Sequence, residues 1–272
     1  MWVLLPPIVP QAPVLKGFAP HAAAAGAGLW EHGRHNAAMP TDHAMNSFTH
    51  ALAPVLMLCA SQALAQTGCA SGGARAPLAL FERFTSADCE ACWRDAATPA
   101  PGAGALVLDW IVPGRQEDEA PLSAAATRDA LARLQALGRT APAATDVHTA
   151  PVEHARGLRL RVGQGPAVND YLGTTATFTA ARGGTDWSFH LLLVEHIPAG
   201  TEGTPVARNV VRNMLQGIWD KRQALLLREH MRWTELRPMR IPEGAQPERL
   251  HTVGWVQDPQ GRVVAAAQSL CR

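Results

Sequence analysis

A Cys-x-x-Cys pair between an apolar run and a helix signal constrains the fold more than any other feature of the sequence. The run at 77–84 has the length and apolar content of a buried strand. It enters a Thr-Ser-Ala-Asp turn that delivers Cys89 and Cys92. Ser86 or Asp88 can cap the helix that follows. The first cysteine is therefore expected at the amino end of a helix.

This position gives the two cysteines distinct chemical roles. Unpaired N–H groups at a helix amino end favour the thiolate of Cys89, the expected nucleophile. Cys92 lies one turn further on and can resolve a mixed disulfide that forms on Cys89. Asp88 and Glu90 flank the nucleophile, and their negative charge disfavours a thiolate. We therefore expect a less acidic Cys89, and a more reducing pair, than in strongly oxidising Cys-x-x-Cys proteins.

Two other interpretations of the pair stay open. The disulfide Cys89–Cys92 can be a structural bridge that takes no part in exchange. A zinc site would need two further ligands, and no histidine forms a second half-site of recognisable spacing. The histidines considered for that role are His148, His154, His190, His196 and His230. No metal and no cofactor is predicted.

Residues 45–65 have the pattern of a secretory signal peptide. A short polar start precedes an apolar stretch, and an Ala-Leu-Ala cleavage site stands before Gln66. Residues 1–44 are rich in Ala, Pro, Gly and His without a sustained period, and we interpret them as a mis-called start or a disordered extension. The sequence predicts an exported protein, periplasmic or secreted. A buried helix at 51–65 in a cytosolic protein is the alternative.

Four cysteines remain once the signal peptide is removed, and an even number in an oxidising compartment favours disulfides. If Cys89 and Cys92 pair locally, Cys69 is left to bond with Cys271. In the loop-entropy model, closing so long a loop stabilises a protein by roughly 4–5 kcal/mol. The alternative is two free thiols near the chain ends.

The pattern of secondary structure changes along the chain. A second apolar strand is expected at 105–112, and a helix between Ser123, its cap, and Gly138. A Pro/Ala/Thr-rich break at 139–156 is followed by runs that alternate like strands. These runs are 157–163, 175–181, 187–196, 250–258 and 261–270. We predict an α+β fold, with an α/β domain at 66–150 and an antiparallel β-sandwich at 151–272.

The charge balance excludes some classes of partner. The sequence has 24 basic and 23 acidic side chains, a formal net charge of +1. Such a balance gives no reason to expect nucleic acid or an acidic membrane as partner. No apolar run reaches the roughly 18 residues that a stable membrane span needs. The predicted partners are protein thiols or disulfides.

The string Phe-Thr-Ser-Ala-Asp-Cys-Glu-Ala-Cys at 84–92 resembles Phe-Thr-Ser-x-x-Cys-x-x-Cys. That motif is the hallmark of a family of secreted thioredoxin-like proteins classified as a domain of unknown function. The resemblance continues through 106–114 and returns at 206–220 and 251–270. It implies a thioredoxin-like α/β domain followed by a β-sandwich, and it favours a strand at 206–213, a segment whose own pattern also suits a helix. It implies no settled activity.

The chain departs from the family in three places, one of which is the aromatic-rich sequence after the second strand, reduced here to Asp109 and Trp110. Trp93 and Arg94 stand where family members have prolines. The Tyr-Thr-Pro-Gln segment is missing, and it supplies the cis-proline that faces the cysteines in thioredoxin folds. Pro151 is the nearest candidate, so it is the residue expected to shape the substrate groove. The short segment 139–156 indicates a trimmed form of the fold.

Two functional hypotheses follow. The first is an exported thiol–disulfide oxidoreductase in which Cys89 attacks, Cys92 resolves and Pro151 borders the groove. The second is a non-catalytic secreted binding or assembly module, stapled by the Cys89–Cys92 and Cys69–Cys271 disulfides, whose sandwich recognises the partner.

Overall fold

A computed structural model describes residues 68–181, 186–227 and 229–271 of the chain. The predicted extension at 1–44 and the predicted signal peptide at 45–65 lie outside the described residues. Within these ranges, none of the helices is long and apolar enough to cross a membrane.

Strands dominate the described part of the chain, and its two α-helices are short. The first six strands are β1 (Cys69–Ala70), β2 (Ala79–Ser86), β3 (Ala105–Val112), β4 (Thr145–Pro151), β5 (Arg159–Val168) and β6 (Tyr171–Ala181). The other six are β7 (Trp187–Ile197), β8 (Arg208–Trp219), β9 (Leu225–Leu227), β10 (His230–Arg240), β11 (Leu250–Gln257) and β12 (Val263–Gln268). The helices are α1 (Glu90–Arg94) and α2 (Arg128–Ala136).

The larger sheet has seven strands in the order β12-β11-β7-β8-β3-β2-β4. β2 and β3 run parallel over their whole length, and β8 lies parallel to β3 with Val210 opposite Asp109. The remaining neighbours are antiparallel. Because β2 and β3 point the same way, their carboxyl ends meet at one edge of the sheet, and the Cys-x-x-Cys segment follows β2 there.

The smaller sheet is antiparallel throughout, in the order β1-β5-β6-β10-β9. One of its faces packs against β7, β11 and β12 of the larger sheet, around an aromatic cluster. Phe178 lies 5.2 Å from Trp187 and 5.8 Å from both Trp219 and Trp233, ring centroid to centroid. Burial of these large rings supplies much of the apolar area that holds the two sheets together.

The predicted fold class is wrong. The strands assigned to a thioredoxin-like α/β domain, β2 to β4, belong to the same sheet as β7, β8, β11 and β12, which were assigned to the sandwich. The two halves of the chain therefore form one mixed sheet, packed against a second, antiparallel one. Alternation within a strand shows which face is buried, but it does not show which strand lies beside it, and that is why the sequence pattern suggested two separate units.

Several local expectations agree with the structure. The strand at 105–112 has its predicted bounds, and the ambiguous segment at 206–213 lies in strand β8 from Arg208 onward. The predicted helix begins later than expected, because Thr127 rather than Ser123 is its N-cap, with the Thr127 hydroxyl accepting the N–H of Ala130 at 3.3 Å. Strand β4 lies inside the segment interpreted as a domain break.

A disulfide ties the two ends of the described chain. Ala70 and Leu270 exchange backbone hydrogen bonds of 3.2 and 3.1 Å, and the adjacent Cys69 and Cys271 are bonded across 202 positions of sequence. The bridge thus fixes β1 beside the residues that follow β12.

Replacing both Cys69 and Cys271 by serine should lower the free energy of unfolding by roughly 4–5 kcal/mol, because the loop that they close is long. The matched control is the pair Cys89→Ser/Cys92→Ser, which opens a bridge spanning three positions and should cost under about 2 kcal/mol. Urea unfolding followed by tryptophan fluorescence measures both losses. Equal losses in the two variants would contradict this account.

His190 is a buried base in the face of the larger sheet that α2 covers. Its ring stacks on Trp255 at 4.3 Å, and within the described ranges its Nδ1 has no hydrogen-bond partner. Burial, and secondly the positive charge of Arg133, lowers the pKa of His190 to about 3. The imidazole is therefore neutral in the folded protein at pH values where the unfolded chain protonates it.

This difference predicts acid sensitivity. From pH about 6.5 down to about 3 the unfolded chain binds the extra proton, so His190 should remove up to about 1.4 kcal/mol of stability per pH unit. His190→Phe keeps the stacking and should reduce that slope. Burial also lowers the pKa of His251, to about 4, so His251 makes its own contribution to the loss of stability at low pH. The His190→Phe variant leaves that contribution unchanged. Urea midpoints across this pH range test the prediction, and an unchanged slope in His190→Phe would oppose it.

Candidate functional site

The Cys-x-x-Cys pair lies at the sheet edge where β2 and β3 end. Cys89 is itself the N-cap of α1, in place of the expected Ser86 or Asp88, and its Sγ accepts the N–H of Cys92 at 3.3 Å. Cys89 and Cys92 form a disulfide. Both are half-buried, whereas the two residues between them are exposed. The bond is thus held in a single turn of helix with one side open to solvent.

The two acidic residues that flank Cys89 are both engaged elsewhere. The carboxylate of Asp88 accepts backbone N–H groups of Arg115 at 2.8 Å and Gln116 at 3.2 Å. Glu90 forms an exposed ion pair with Arg94, one turn along α1, at 2.5 Å. The negative charges that were expected to oppose a thiolate are therefore partly compensated by their own partners.

A buried charged cluster lies beneath α1. Asp109, on β3, is bonded to Arg83 of β2 at 2.7 Å and to Arg208 of β8 at 3.4 Å. Its second oxygen accepts the backbone N–H of Asn209 at 2.8 Å. All three charged side chains are almost fully buried. One carboxylate therefore joins three neighbouring strands and is shared by two guanidinium groups.

Arg208 extends this cluster to the Cys-x-x-Cys helix. Its guanidinium donates to the carbonyl of Cys92 at 3.3 Å and to that of Trp93 at 3.2 Å. It also stands over the Trp93 ring, 5.1 Å from the centroid. The carbonyls at the end of a helix have no partners within it, so Arg208 supplies donors that the short α1 lacks.

The electrostatics of the cluster are dominated by burial. Burial, followed by the neighbouring Arg83, lowers the pKa of Arg208, while Asp109 and the exposed Asp95 raise it. Arg208 stays charged, since the guanidinium group of an arginine is effectively always protonated in proteins. The buried part of the cluster has two arginines and one carboxylate, while the exposed Asp95 also acts on Arg208, the arginine that contacts the carbonyl of Cys92.

A small, mostly apolar depression lies beside α1. It has a volume of about 220 Å³, and its wall includes Trp93, Ile111, Leu122 and Ile197 together with the charged residues Glu202 and Arg212. The Trp93 indole is fixed by its N–H, which donates to the carbonyl of Glu202 at 2.7 Å. The depression has room for one apolar side chain next to the disulfide-bearing helix.

Pro151 does not meet the cysteines. It is exposed and pairs with Ala79 at the beginning of β2, whereas Cys89 follows the end of that strand. Strand β4 runs antiparallel to β2, so the residue of β4 nearest the cysteine end is Thr145, opposite Thr85. The structure therefore brings Cys89 and Cys92 together and places Pro151 at the opposite end of the strand.

The residues that surround the pair were not identified from the sequence. Arg83 and Asp109 lie inside apolar strands, where a charged residue signals a buried partner, and that signal was available. Arg208 comes from a segment more than a hundred positions away, and its partner follows only from the β3–β8 pairing.

The described histidines do not form a metal centre. Among residues 68–181, 186–227 and 229–271, no group of three or more His, Cys, Asp or Glu side chains could hold a metal ion. His196 is bonded to Asn209 at 2.9 Å, and His154 contacts the carbonyl of Pro77 at 2.6 Å.

Comparison with known proteins does not indicate a function for this site. No family model and no curated protein matches the sequence. A crystal structure of an Agrobacterium tumefaciens protein, determined as a structural genomics target, aligns with 72% of this chain and 95% of its own at 13% identity and a TM-score of 0.38. A similarity at that level carries no argument about fold or function.

Replacing Arg208 tests the role of the buried cluster. Arg208→Met should lower the free energy of unfolding by about 3–5 kcal/mol, because Asp109 loses a partner and two helix carbonyls lose their donors. Arg128→Met, at an exposed arginine, is the control and should change stability by less than about 0.5 kcal/mol. Urea unfolding distinguishes them, and similar losses would refute a structural role for Arg208.

Proposed function

We propose that this protein carries out thiol–disulfide exchange in an oxidising compartment outside the cytosol, with Cys89 as nucleophile and Cys92 as resolving thiol. The observation that carries the proposal is the half-exposed Cys89–Cys92 disulfide anchored from below by buried Arg208. The proposal keeps the resemblance to the secreted Phe-Thr-Ser-x-x-Cys-x-x-Cys family, but not the thioredoxin-like fold.

The exchange proceeds in two balanced steps. In the reduced protein, the Cys89 thiolate attacks one sulfur of a substrate disulfide, forms a mixed disulfide and releases one substrate thiolate. The Cys92 thiolate then attacks the Cys89 sulfur, re-forms the Cys89–Cys92 bond and releases the second substrate thiolate. Two electrons pass from the protein to the substrate. The same steps in reverse oxidise a substrate dithiol.

The surroundings of the pair favour a thiolate. The Sγ of Cys89 accepts the N–H of Cys92, and hydrogen bonds to the charged form of a group favour that form. The positive charge of Arg208 acts from the buried side, where screening by water is weak. The carboxylates of Asp88 and Glu90, which would oppose the thiolate, have partners of their own.

The expected partner is a protein disulfide or dithiol. An extended segment of another protein can bring its sulfur to the open side of the pair, since the residues between the two cysteines are exposed. The apolar depression beside Trp93 gives such a segment a place for one hydrophobic side chain. Two disulfides are compatible with an oxidising, exported location, which the predicted signal peptide also favours.

One observation favours the second hypothesis, a non-catalytic exported binding or assembly module. Arg208 binds two consecutive carbonyls of α1, and the Trp93 indole is bonded to the Glu202 carbonyl. A turn held so firmly would suit a structural staple that never exchanges. The two hypotheses differ in whether the Cys89–Cys92 bond equilibrates with small thiols.

Equilibration with glutathione buffers, followed by alkylation and mass spectrometry, separates the hypotheses. An exchanging pair should titrate within minutes, and Cys92→Ser should accumulate a mixed disulfide on Cys89, whereas Cys89→Ser should not. The alkylation rate of Cys92→Ser against pH should place the pKa of Cys89 below the ordinary thiol value of about 8.5.

The same measurements contain the control. The Cys69–Cys271 bond, near the two ends of the described residues, should stay intact under the mild conditions that open the Cys89–Cys92 bond. If both bonds resist the glutathione buffer equally, the pair is a staple and the module hypothesis replaces the exchange hypothesis.

A further inference from the structure

The outer face of the five-stranded sheet gathers basic side chains around a row of threonines. Thr177 and Thr179 of β6 lie opposite Arg161 and Arg159 of β5 on one side, and Thr179 lies opposite Arg232 of β10 on the other. These side chains border a depression of about 770 Å³. We define the basic face by four residues: Arg159, Arg161, His230 and Arg232.

The charges of the basic face are not balanced by the protein. In the part of the chain that the structure describes, none of its four side chains forms an ion pair or a side-chain hydrogen bond, and no Asp or Glu lines the depression. Buried arginines elsewhere in the protein, such as Arg83 of β2 and Arg133 of α2, are each paired with a carboxylate. Since the whole chain carries a formal charge of only +1, the excess is a local arrangement.

The same sheet exposes an unusual amount of apolar surface. Ten large hydrophobic side chains are exposed in the described residues, and six of them belong to strands of this sheet. The six are Val168, Tyr171, Leu225, Leu226, Leu227 and Leu236. Leu225 is opposite Arg232, and Leu227 is opposite His230, so these leucines border the basic face directly. Three consecutive exposed leucines on an edge strand are an unprotected surface of the kind that marks an interaction site.

The combination of arginines and neighbouring exposed leucines indicates which class of partner fits this face. A small anion would engage the arginines but would leave the leucines in water. A single-stranded nucleic acid needs aromatic side chains for its bases, and Phe178 and Trp233 of this sheet point to the opposite, buried face. An anionic bilayer offers phosphates to arginines and an apolar boundary to neighbouring leucines at once.

We propose that the outer face of the five-stranded sheet docks on the surface of an anionic phospholipid bilayer. Arg159, Arg161 and Arg232 bind headgroup phosphates, and Leu225 and Leu227 enter the boundary between headgroups and acyl chains. The threonine hydroxyls between the arginines donate further hydrogen bonds to phosphate oxygens. This site shares no residue with the Cys89–Cys92 site, so it stands independently of the proposed thiol–disulfide exchange.

Vesicle flotation with the full chain tests the proposal. Binding to vesicles of phosphatidylcholine with phosphatidylglycerol should exceed binding to pure phosphatidylcholine, and it should weaken as salt is added. Arg161→Gln/Arg232→Gln should bind anionic vesicles about 25-fold more weakly, at about fivefold per arginine. Leu225→Ser/Leu227→Ser should bind at least about tenfold more weakly while keeping its salt dependence.

The matched control is Arg115→Gln/Arg128→Gln, which removes two exposed arginines beside the larger sheet. Like the other variants, it is made in the full chain, so any binding through residues 1–67 is the same in all of them. It should bind anionic vesicles as the unmodified chain does. Equal loss in the control, or equal binding to neutral and anionic vesicles, overturns the proposal. If dextran sulfate binds the basic face but vesicles do not, the face is a site for a soluble polyanion and membrane docking is wrong. Thermal unfolding of each variant shows that the fold is retained.

Discussion

The buried contact between Asp109 and Arg208 is the interaction on which the rest of the structure depends. Asp109 lies on β3 and Arg208 begins β8, so their contact joins the early part of the chain to a strand formed about a hundred residues later. The same guanidinium holds the carbonyls of Cys92 and Trp93. A buried charge left alone would cost several kcal/mol, and each member of the cluster therefore requires the others. The parallel register of β3 and β8 and the position of the cysteine helix are consequently set by one polar cluster.

Local sequence patterns predicted individual elements well, because their causes are local. The run at 105–112 is bounded by Gly104 and Pro113, and the structure gives a strand with those limits. The arrangement of the strands was not predictable in this way. The parallel pairing of β3 with β8 depends on the match between Asp109 and Arg208, which no periodicity reveals. Strand β4 was missed for a different reason: its sequence, Thr-Asp-Val-His-Thr-Ala-Pro, is polar because it forms an edge of the sheet.

Only the two cysteines of the candidate site were predictable from the sequence. Cys89 and Cys92 follow from a four-residue pattern and its position after a strand. Pro151 was chosen by a motif analogy, and the register places it at the other end of β2. The estimate of the local electrostatics from sequence neighbours was also incomplete. It counted Asp88 and Glu90 but not Arg208, which acts through space. Net charge has the same weakness, since a formal +1 hides three arginines on one sheet face that form no ion pair with any residue that the structure describes.

Under the proposed exchange, the stability of the fold and the thiol chemistry are coupled. The charge proposed to favour a Cys89 thiolate is that of Arg208, which also completes the cluster around Asp109, so it cannot be removed without weakening the sheet. A Cys89 thiolate would place a negative charge at the sheet edge, where the guanidinium of Arg208 would stabilise it from below. That stabilisation would act in the folded state alone, because the unfolded chain separates Cys89 from Arg208 by more than a hundred residues. By linkage, such a thiolate would raise the stability of the reduced fold.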